Sequence, residues 1–171
     1  MTRASAKGAD LLIEIVVAPE NQRDELWTLF QEYCQELSTY DNEPRPKTPH
    51  RYASFDLYWE LTGRFPLLVL YDHEPAGFCL LQDTGLDYRI DEFYIRPLHR
   101  RRGFGKLVVD FVKDYCADMG RHETLAAYVY VNNEPAVRFW LSAGFQDTGR
   151  RTRLKNVRVI ETETSLTTAR T

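Results

Sequence analysis

The segment Arg96–Lys106, RPLHRRRGFGK, constrains this chain more than any other. Five of its residues are Arg or Lys and two glycines stand one residue apart, in a chain whose net charge is −3. Upstream, DYRIDEFYI (87–95) is rich in β-branched and aromatic residues and reads as a strand. Downstream, GFGKLVVDFVKDYCADMG (103–120) puts Leu107, Val108, Phe111, Val112, Tyr115 and Cys116 on one helical face, with Gly120 as its stop. The loop therefore leads a strand into a helix. The first turn of a helix exposes unpaired N–H groups and the positive end of the macrodipole. Gly103 and Gly105 carry no side chain that would keep an anion from that backbone. The Walker pattern GxxxxGK[ST] is absent, and Val108 stands where a dinucleotide fingerprint has its third Gly or Ala. On local evidence the loop is either a cradle for a phosphate ester or a solvated basic turn.

The remaining chain alternates between the two periodicities. LLIEIVVA (11–18) reads as a strand, and residues 19–40 as an amphipathic helix with Leu26, Leu29, Phe30, Tyr33, Cys34 and Leu37 at spacings of three and four. A proline-rich loop (41–50) leads to a second helix over 51–63. FPLLVLYD and AGFCLLQD, joined through HEPAG, read as an antiparallel hairpin, with 87–95 as the next strand. After the 103–120 helix come a strand (124–131) and a helix with an Asn cap and Pro in its first turn (132–144). FQDTG and TRLKNVRVIETE read as a closing pair of strands. The order β-α-α-β-β-β-α-β-α-β-β predicts one α/β sandwich with a mixed sheet over residues 11–160, with loose segments at 1–10 and 161–171.

Composition excludes several classes. A 171-residue chain with 43% apolar and 27% charged residues is globular rather than disordered. The slight acidity argues against general nucleic-acid affinity. Cys34, Cys79 and Cys116 are odd in number and far apart, which predicts neither a disulfide framework nor a zinc site, and points to a reducing, cytoplasmic setting. No apolar run approaches the ~18 residues of a membrane span. His50, His73, His99 and His122 are scattered and suggest no metal site.

Arg100-x-x-Gly103-x-Gly105 after a strand resembles the (R/Q)xxGx(G/A) signature of the GNAT N-acetyltransferase superfamily. Asn133, Ala136, Trp140, Gly144 and Phe145 fall at the spacing of that family's later motif, with one helix and one strand between the two. The resemblance implies a mostly antiparallel sheet and acetyl-CoA as cosubstrate. It places the pyrophosphate on the backbone from Arg101 to Lys106, through Gly103, Phe104 and Gly105, with Arg100 in the motif and Arg101, Arg102 and Lys106 adding charge. It runs the pantetheine along Phe93, Tyr94 and Ile95, with Asn133 as a contact and Phe139 and Trp140 as walls of the thioester end. Phe93 and Ile95 could equally be core residues, and Asn133 a helix cap.

The chemistry asks for a base, because an acceptor amine with a pKa of about 10.4 is protonated at neutral pH. Asp91 and Glu92 precede the pantetheine segment. Strict alternation would turn only one of them toward the acceptor; Glu92 is the favoured base, and a salt bridge with Arg89 is the competing role. Many family members carry Tyr where this chain has Trp140, and an indole N–H is no practical acid for a leaving thiolate. Tyr128 or Tyr130 could replace it. Tyr40, Asp41 and Glu43 would suit a cationic acceptor, although the segment also reads as a solvated loop. Polyamine, antibiotic amine, amino acid and protein N-terminus all stay open as acceptors. Two other classes compete: a GNAT-fold module that binds acyl-CoA without catalysis, and a nucleic-acid-binding domain using Arg96–Lys106 and RRTRLK (150–155). Neither nucleic acid nor membrane is expected as a partner, and a homodimer is left open.

Overall fold

The computed structural model describes residues 3–8, 11–41, 53–154 and 157–166. Its strands are β1 (Arg3–Gly8), β2 (Leu11–Val17), β3 (Arg64–Tyr71), β4 (Glu74–Asp83), β5 (Tyr88–Ile95), β6 (Thr124–Tyr130), β7 (Gln146–Leu154) and β8 (Val157–Ser165). Its helices are α1 (Arg23–Asp41), α2 (Ala53–Glu60), α3 (Phe104–Met119) and α4 (Glu134–Ser142). The strands form one sheet in the order β1-β2-β3-β4-β5-β6-β8-β7. Every neighbouring pair is antiparallel except β5 and β6, whose connection through α3 is a crossover.

Three boundaries differ from the sequence expectation. Residues 3–8, expected to be loose, pair with β2 from Arg3↔Val16 to Gly8↔Leu11. An edge strand needs backbone partners, and small polar residues supply those as well as apolar ones do. Residues 161–165, also expected to be loose, belong to β8, which runs beside β6 to Ser165↔Thr124. There the buried Thr162 hydroxyl donates to Ala127 O at 3.0 Å. The final hairpin divides after Leu154 rather than near Gly149, and an irregular register between Asp147 and Arg151 absorbs the glycine.

The alternation of apolar residues builds two cores. Leu67, Val69, Cys79 and Leu81 face α3 and α4, where Val108, Val109, Val112 and Cys116 meet them. Leu68, Phe78 and Leu80, on the other face, meet Leu26, Leu29 and Phe30 of α1 and Phe55 of α2. Burying each such side chain stabilises the fold by about 1.5–3 kcal/mol.

Two irregularities in β5 position the site. First, Leu80 stands opposite Glu92 and Leu81 opposite Ile90, so Asp91 is an extra residue, a β-bulge. Before it, Tyr88 and Ile90 face the α3 side; after it, Phe93 and Ile95 do. Second, β5 pairs with β6 only from Tyr88↔Leu125 to Ile90↔Ala127. Beyond that, β5 continues with β4 and β6 with β8, so the two strands part and leave an open notch.

Candidate active site

The notch opens a cavity of about 1040 Å³ that passes from the α3/α4 face to the α1/α2 face. Its walls include Asp91–Ile95 of β5, Tyr128–Tyr130 of β6, Gly103, Gly105 and Lys106 of the basic loop, and Asn133, Phe139 and Trp140 of α4.

At the α3 end, Gly103 caps the helix with φ +83° and no side-chain hydrogen bond. Its carbonyl receives the Leu107 N–H at 3.0 Å, so helical bonding starts only there and the N–H groups of Phe104, Gly105 and Lys106 have no intrahelical acceptor. Arg101 also has a positive φ, 60°, and is exposed, with no ion-pair partner among the described residues. A Cβ on Gly103 would meet nothing within 4 Å, whereas one on Gly105 would lie 2.9 Å from Phe139 Cε2. Gly105 is thus small because Phe139 packs on it, a reason distinct from anion approach.

The other cations of the loop are differently employed. Arg100 grips the Glu36 carboxylate with Nη1 and Nη2 at 3.0 and 2.6 Å, and its Nε donates to Ile95 O at 2.6 Å. Arg96 grips the Glu32 carboxylate with Nε and Nη2 at 3.0 and 2.7 Å. Two arginines four apart thus meet two glutamates four apart on α1, a match of spacing that the sequence displays. Arg102 lies over the Tyr71 and Phe104 rings, and Lys106 pairs with Asp110 at 3.3 Å. Burial, with Arg102 and Arg96 nearby, holds His99 below the usual histidine range, so it adds no charge to the loop at neutral pH. Phe104 points into the core, leaving only its backbone for a ligand.

Along the notch, Phe93 stacks on Phe139 with centroids 5.5 Å apart at 15°, and Trp140 meets Phe93 edge-on at 5.4 Å. Trp140 is buried and also packs on Phe145. Phe93 and Ile95 are core residues by side chain, yet the β5 edge beyond Ile90 faces the notch without a strand partner among the described residues. Asn133 is a cap: its side chain accepts the Ala136 N–H at 3.2 Å, while the residue still lines the cavity.

At the α1/α2 end the bulge overrides strict alternation. Both carboxylates turn to the same face: Tyr33 of α1 donates to Glu92 Oε2 at 2.5 Å, and Tyr58 of α2 donates to Asp91 Oδ2 at 2.5 Å. Asp91 also receives Arg64 Nη1 at 3.0 Å and Arg89 Nε at 2.6 Å. The salt bridge with Arg89 therefore falls to Asp91. Burial, then the Glu92 charge, raises the Tyr33 pKa well above the phenol range, and Tyr130 adds a smaller push of the same sign. Burial and Asp91 do the same to Tyr58. Both phenols stay protonated and act as donors that orient the carboxylates. Tyr128 lies under the Arg89 guanidinium at 5.6 Å. Tyr40 lines the cavity, and its carbonyl accepts Asn132 Nδ2 at 2.6 Å, which ties the end of α1 to the connection before α4. Asp41 closes α1; its side chain, and all of Glu43, lie outside the described residues. Tyr33, Tyr58 and Arg64 were not assigned to the site from the sequence, because nothing local links them to β5.

The comparisons with known proteins agree with this geometry. The profile of the acetyltransferase (GNAT) family matches residues 24–145. The spermidine N-acetyltransferase of Vibrio cholerae, solved with CoA and spermine, is similar over 90% of this chain and 95% of its own, at 15% identity and TM-score 0.67. PaiA N-acetyltransferase of Thermoplasma acidophilum, solved with coenzyme A, covers 87% and 97% at 16% identity and TM-score 0.69. The ribosomal-protein-S18-alanine N-acetyltransferase of Escherichia coli covers 92% and 96% at 15% identity and TM-score 0.66. No curated protein sequence matches. The profile match, spanning both motifs and the notch between them, places the chain in the GNAT acetyltransferase family.

Proposed function

We propose that this protein is an N-acetyltransferase that moves the acetyl group of acetyl-CoA to a primary amine by direct attack on the thioester, with Glu92 as general base. The observation that carries the reading is the parting of β5 and β6 beyond Ile90, with two carboxylates at the rim of the opening. The free amides of the first turn of α3, with Arg101 beside them, suit the pyrophosphate. The open β5 edge from Asp91 to Ile95 suits the amides of pantetheine, and Phe93, Phe139 and Trp140 wall the thioester end.

The acceptor enters from the α1/α2 side. Asp91 is engaged by two guanidinium groups and Tyr58, so its charge is largely spent on holding the rim together. Glu92, oriented by Tyr33, is the carboxylate suited to take the amine proton. A thiol pKa of roughly 8.5 makes the CoA thiolate a fair leaving group. Trp140 supplies no proton to it, and Tyr130, which lines the cavity, is the phenol proposed to do so.

Free-thiol release from acetyl-CoA with a panel of amines tests the reading. Glu92→Gln should lower turnover by roughly 10²–10⁴ while the acetyl-CoA thermal shift is retained. Wild-type turnover in both Glu92→Gln and Asp91→Asn would show that neither carboxylate is the base.

A further inference from the structure

One arginine of the basic loop occupies a backbone acceptor on the open edge of β5. Ile95 stands opposite Gly77, and the Arg96 N–H crosses to Ala76 O at 2.9 Å. In an antiparallel ladder this makes Ile95 and Gly77 a non-hydrogen-bonded pair. The N–H and C=O of Tyr94 therefore turn toward β4, and those of Phe93 and Ile95 turn away from it. Away from β4 lies the notch, where no described strand pairs with β5 beyond Ile90. The edge thus presents the N–H and C=O of Phe93 and of Ile95. The last of these is taken, because Arg100 Nε donates to Ile95 O at 2.6 Å.

The rest of that guanidinium faces α1. Nη1 and Nη2 hold the two oxygens of Glu36 at 3.0 and 2.6 Å, and the group lies over the Tyr94 ring at 5.4 Å. Its charge is answered by a carboxylate and its plane is fixed by three bonds, so it is poorly disposed to turn toward a phosphate. Arg101, exposed and without an ion-pair partner among the described residues, is the cation suited to that task. Tyr33, one turn before Glu36, donates to Glu92. α1 is thereby fastened to both ends of the open stretch of β5. Arg96 provides the contrast. It grips Glu32 with Nε and Nη2, but its Nη1 goes to Pro75 O of β4 at 2.7 Å, on the side away from the notch.

We propose that Arg100 is a positioning residue of the cofactor edge and not a phosphate ligand: it caps Ile95 O and fixes that end of the edge to α1 through Glu36. The proposal rests on the acetyltransferase reading above for what lies along the edge. With Ile95 O capped, Phe93 N–H, Phe93 O and Ile95 N–H are the groups left for the amides of pantetheine. A pantetheine displaced along β5 would find its acceptor already bonded, so the cap sets the register of the thioester arm.

The test compares coenzyme A with 3′-phosphoadenosine 5′-diphosphate, its half that carries the pyrophosphate and no pantetheine. Calorimetric binding is measured for wild type, Arg100→Gln, Arg100→Lys, Glu36→Gln, the Arg100→Gln/Glu36→Gln double variant and, as a control for the docking of α1, Glu32→Gln. Lysine keeps the charge but cannot span Ile95 O and Glu36 together. The Arg100 variants should weaken coenzyme A about tenfold and Glu36→Gln about three- to tenfold, the range of one hydrogen bond with a charged partner. The double variant should bind no worse than Arg100→Gln alone, because both changes break one strap. Binding of the nucleotide half should stay within about twofold throughout, as should coenzyme A binding to Glu32→Gln. An equal loss of the nucleotide half in Arg100→Gln, with Glu36→Gln binding coenzyme A as well as wild type or better, would make Arg100 a phosphate ligand and overturn the proposal. Additive losses in the double variant, or a loss in Glu32→Gln as large as in Glu36→Gln, overturn it too. If the Arg100 variants do not fold, Glu36→Gln against Glu32→Gln decides. Thiol release with an amine panel is read separately. Its absence in a wild type that binds coenzyme A, with the losses above, removes the activity and leaves the strap standing; a wild type that binds no coenzyme A overturns both.

Discussion

Gly105→Ala separates two reasons for a glycine in the basic loop. A Cβ there would stand 2.9 Å from Phe139 Cε2 and 3.1 Å from Cζ. Ordinary contact needs a separation of ~3.5–4.0 Å, so the ring must move by about half an ångström or more. It is not free to do so, because it is stacked on Phe93 and set edge-on to Trp140 at 5.2 Å. Overpacking of this kind costs about 1–3 kcal/mol, partly offset by up to ~1 kcal/mol of helix propensity gained on leaving Gly. The net is about 1 kcal/mol, or a Tm lower by about 2–4 °C for a domain of this size. In the proposed complex the ring walls the thioester end, so its displacement should weaken acetyl-CoA about tenfold. At a ligand concentration 100 times the wild-type Kd, the stabilisation from binding would drop from about 2.7 to about 1.4 kcal/mol. Thermal melts of wild type, Gly105→Ala, Phe139→Leu and the double variant, each with and without acetyl-CoA, measure both quantities. A smaller, more flexible residue at 139 should relieve the clash, giving a coupling of about 1 kcal/mol in the apo cycle. An unchanged apo Tm together with lost acetyl-CoA binding would refute the packing argument and leave close anion approach as the reason for Gly105.

Gly103→Ala should behave differently: the new Cβ meets nothing within 4 Å, but φ +83° costs a non-glycine residue about 1–2 kcal/mol, so the apo Tm should fall without rescue by any change at Phe139. Trp140→Phe should keep turnover within about tenfold, as the proposed role of a wall requires; a loss of about 10²–10³ with acetyl-CoA affinity retained would give its N–H a direct role. The third concerns Asp83, whose carboxyl is held below the usual range by a hydrogen bond from His122, a Gly85 N–H and Arg121. A depressed folded-state pKa stabilises above the unfolded value of about 3.9 and is lost as pH falls through the folded value. The Tm gap between wild type and Asp83→Asn should therefore be full at neutral pH and close in acid, which melts across a pH series would show; a gap that widens in acid contradicts the assignment.

The element order was legible because it depends on periodicity, and the two cores follow from it. Leu67 and Val69 against Leu68 alternate across β3 as the pattern requires. The loop and its glycines were legible because a strand–loop–helix junction has a local composition. The assignments of Arg96 and Arg100 were not read, although both pairs are four apart in sequence, because the link to Glu32 and Glu36 spans 64 positions. Arg64, Tyr33 and Tyr58 escaped for the same reason: they reach Asp91 and Glu92 only once α1, α2 and β3 have packed with β5. Residues 3–8 were misjudged because an edge strand is held by backbone bonds, to which side-chain pattern is a poor guide.

The bulge at Asp91 had no local signal at all, and it organises both halves of the site. Without it, the parity that sends Tyr88 and Ile90 toward α3 would send Glu92 there too, and Phe93 toward α1. Glu92 would then lie in the α3/α4 core, and the ring that stacks on Phe139 would be lost from the notch. One inserted residue shifts the parity, keeping Phe93 and Ile95 on the α3/α4 face while Asp91 and Glu92 both reach the α1/α2 face. A bulge also bends its strand and sharpens the local twist. It falls one residue beyond Ile90, the last β5 residue paired with β6. The same insertion that doubles the carboxylates at the rim thus accounts for β5 leaving its parallel neighbour there, which is what opens the notch.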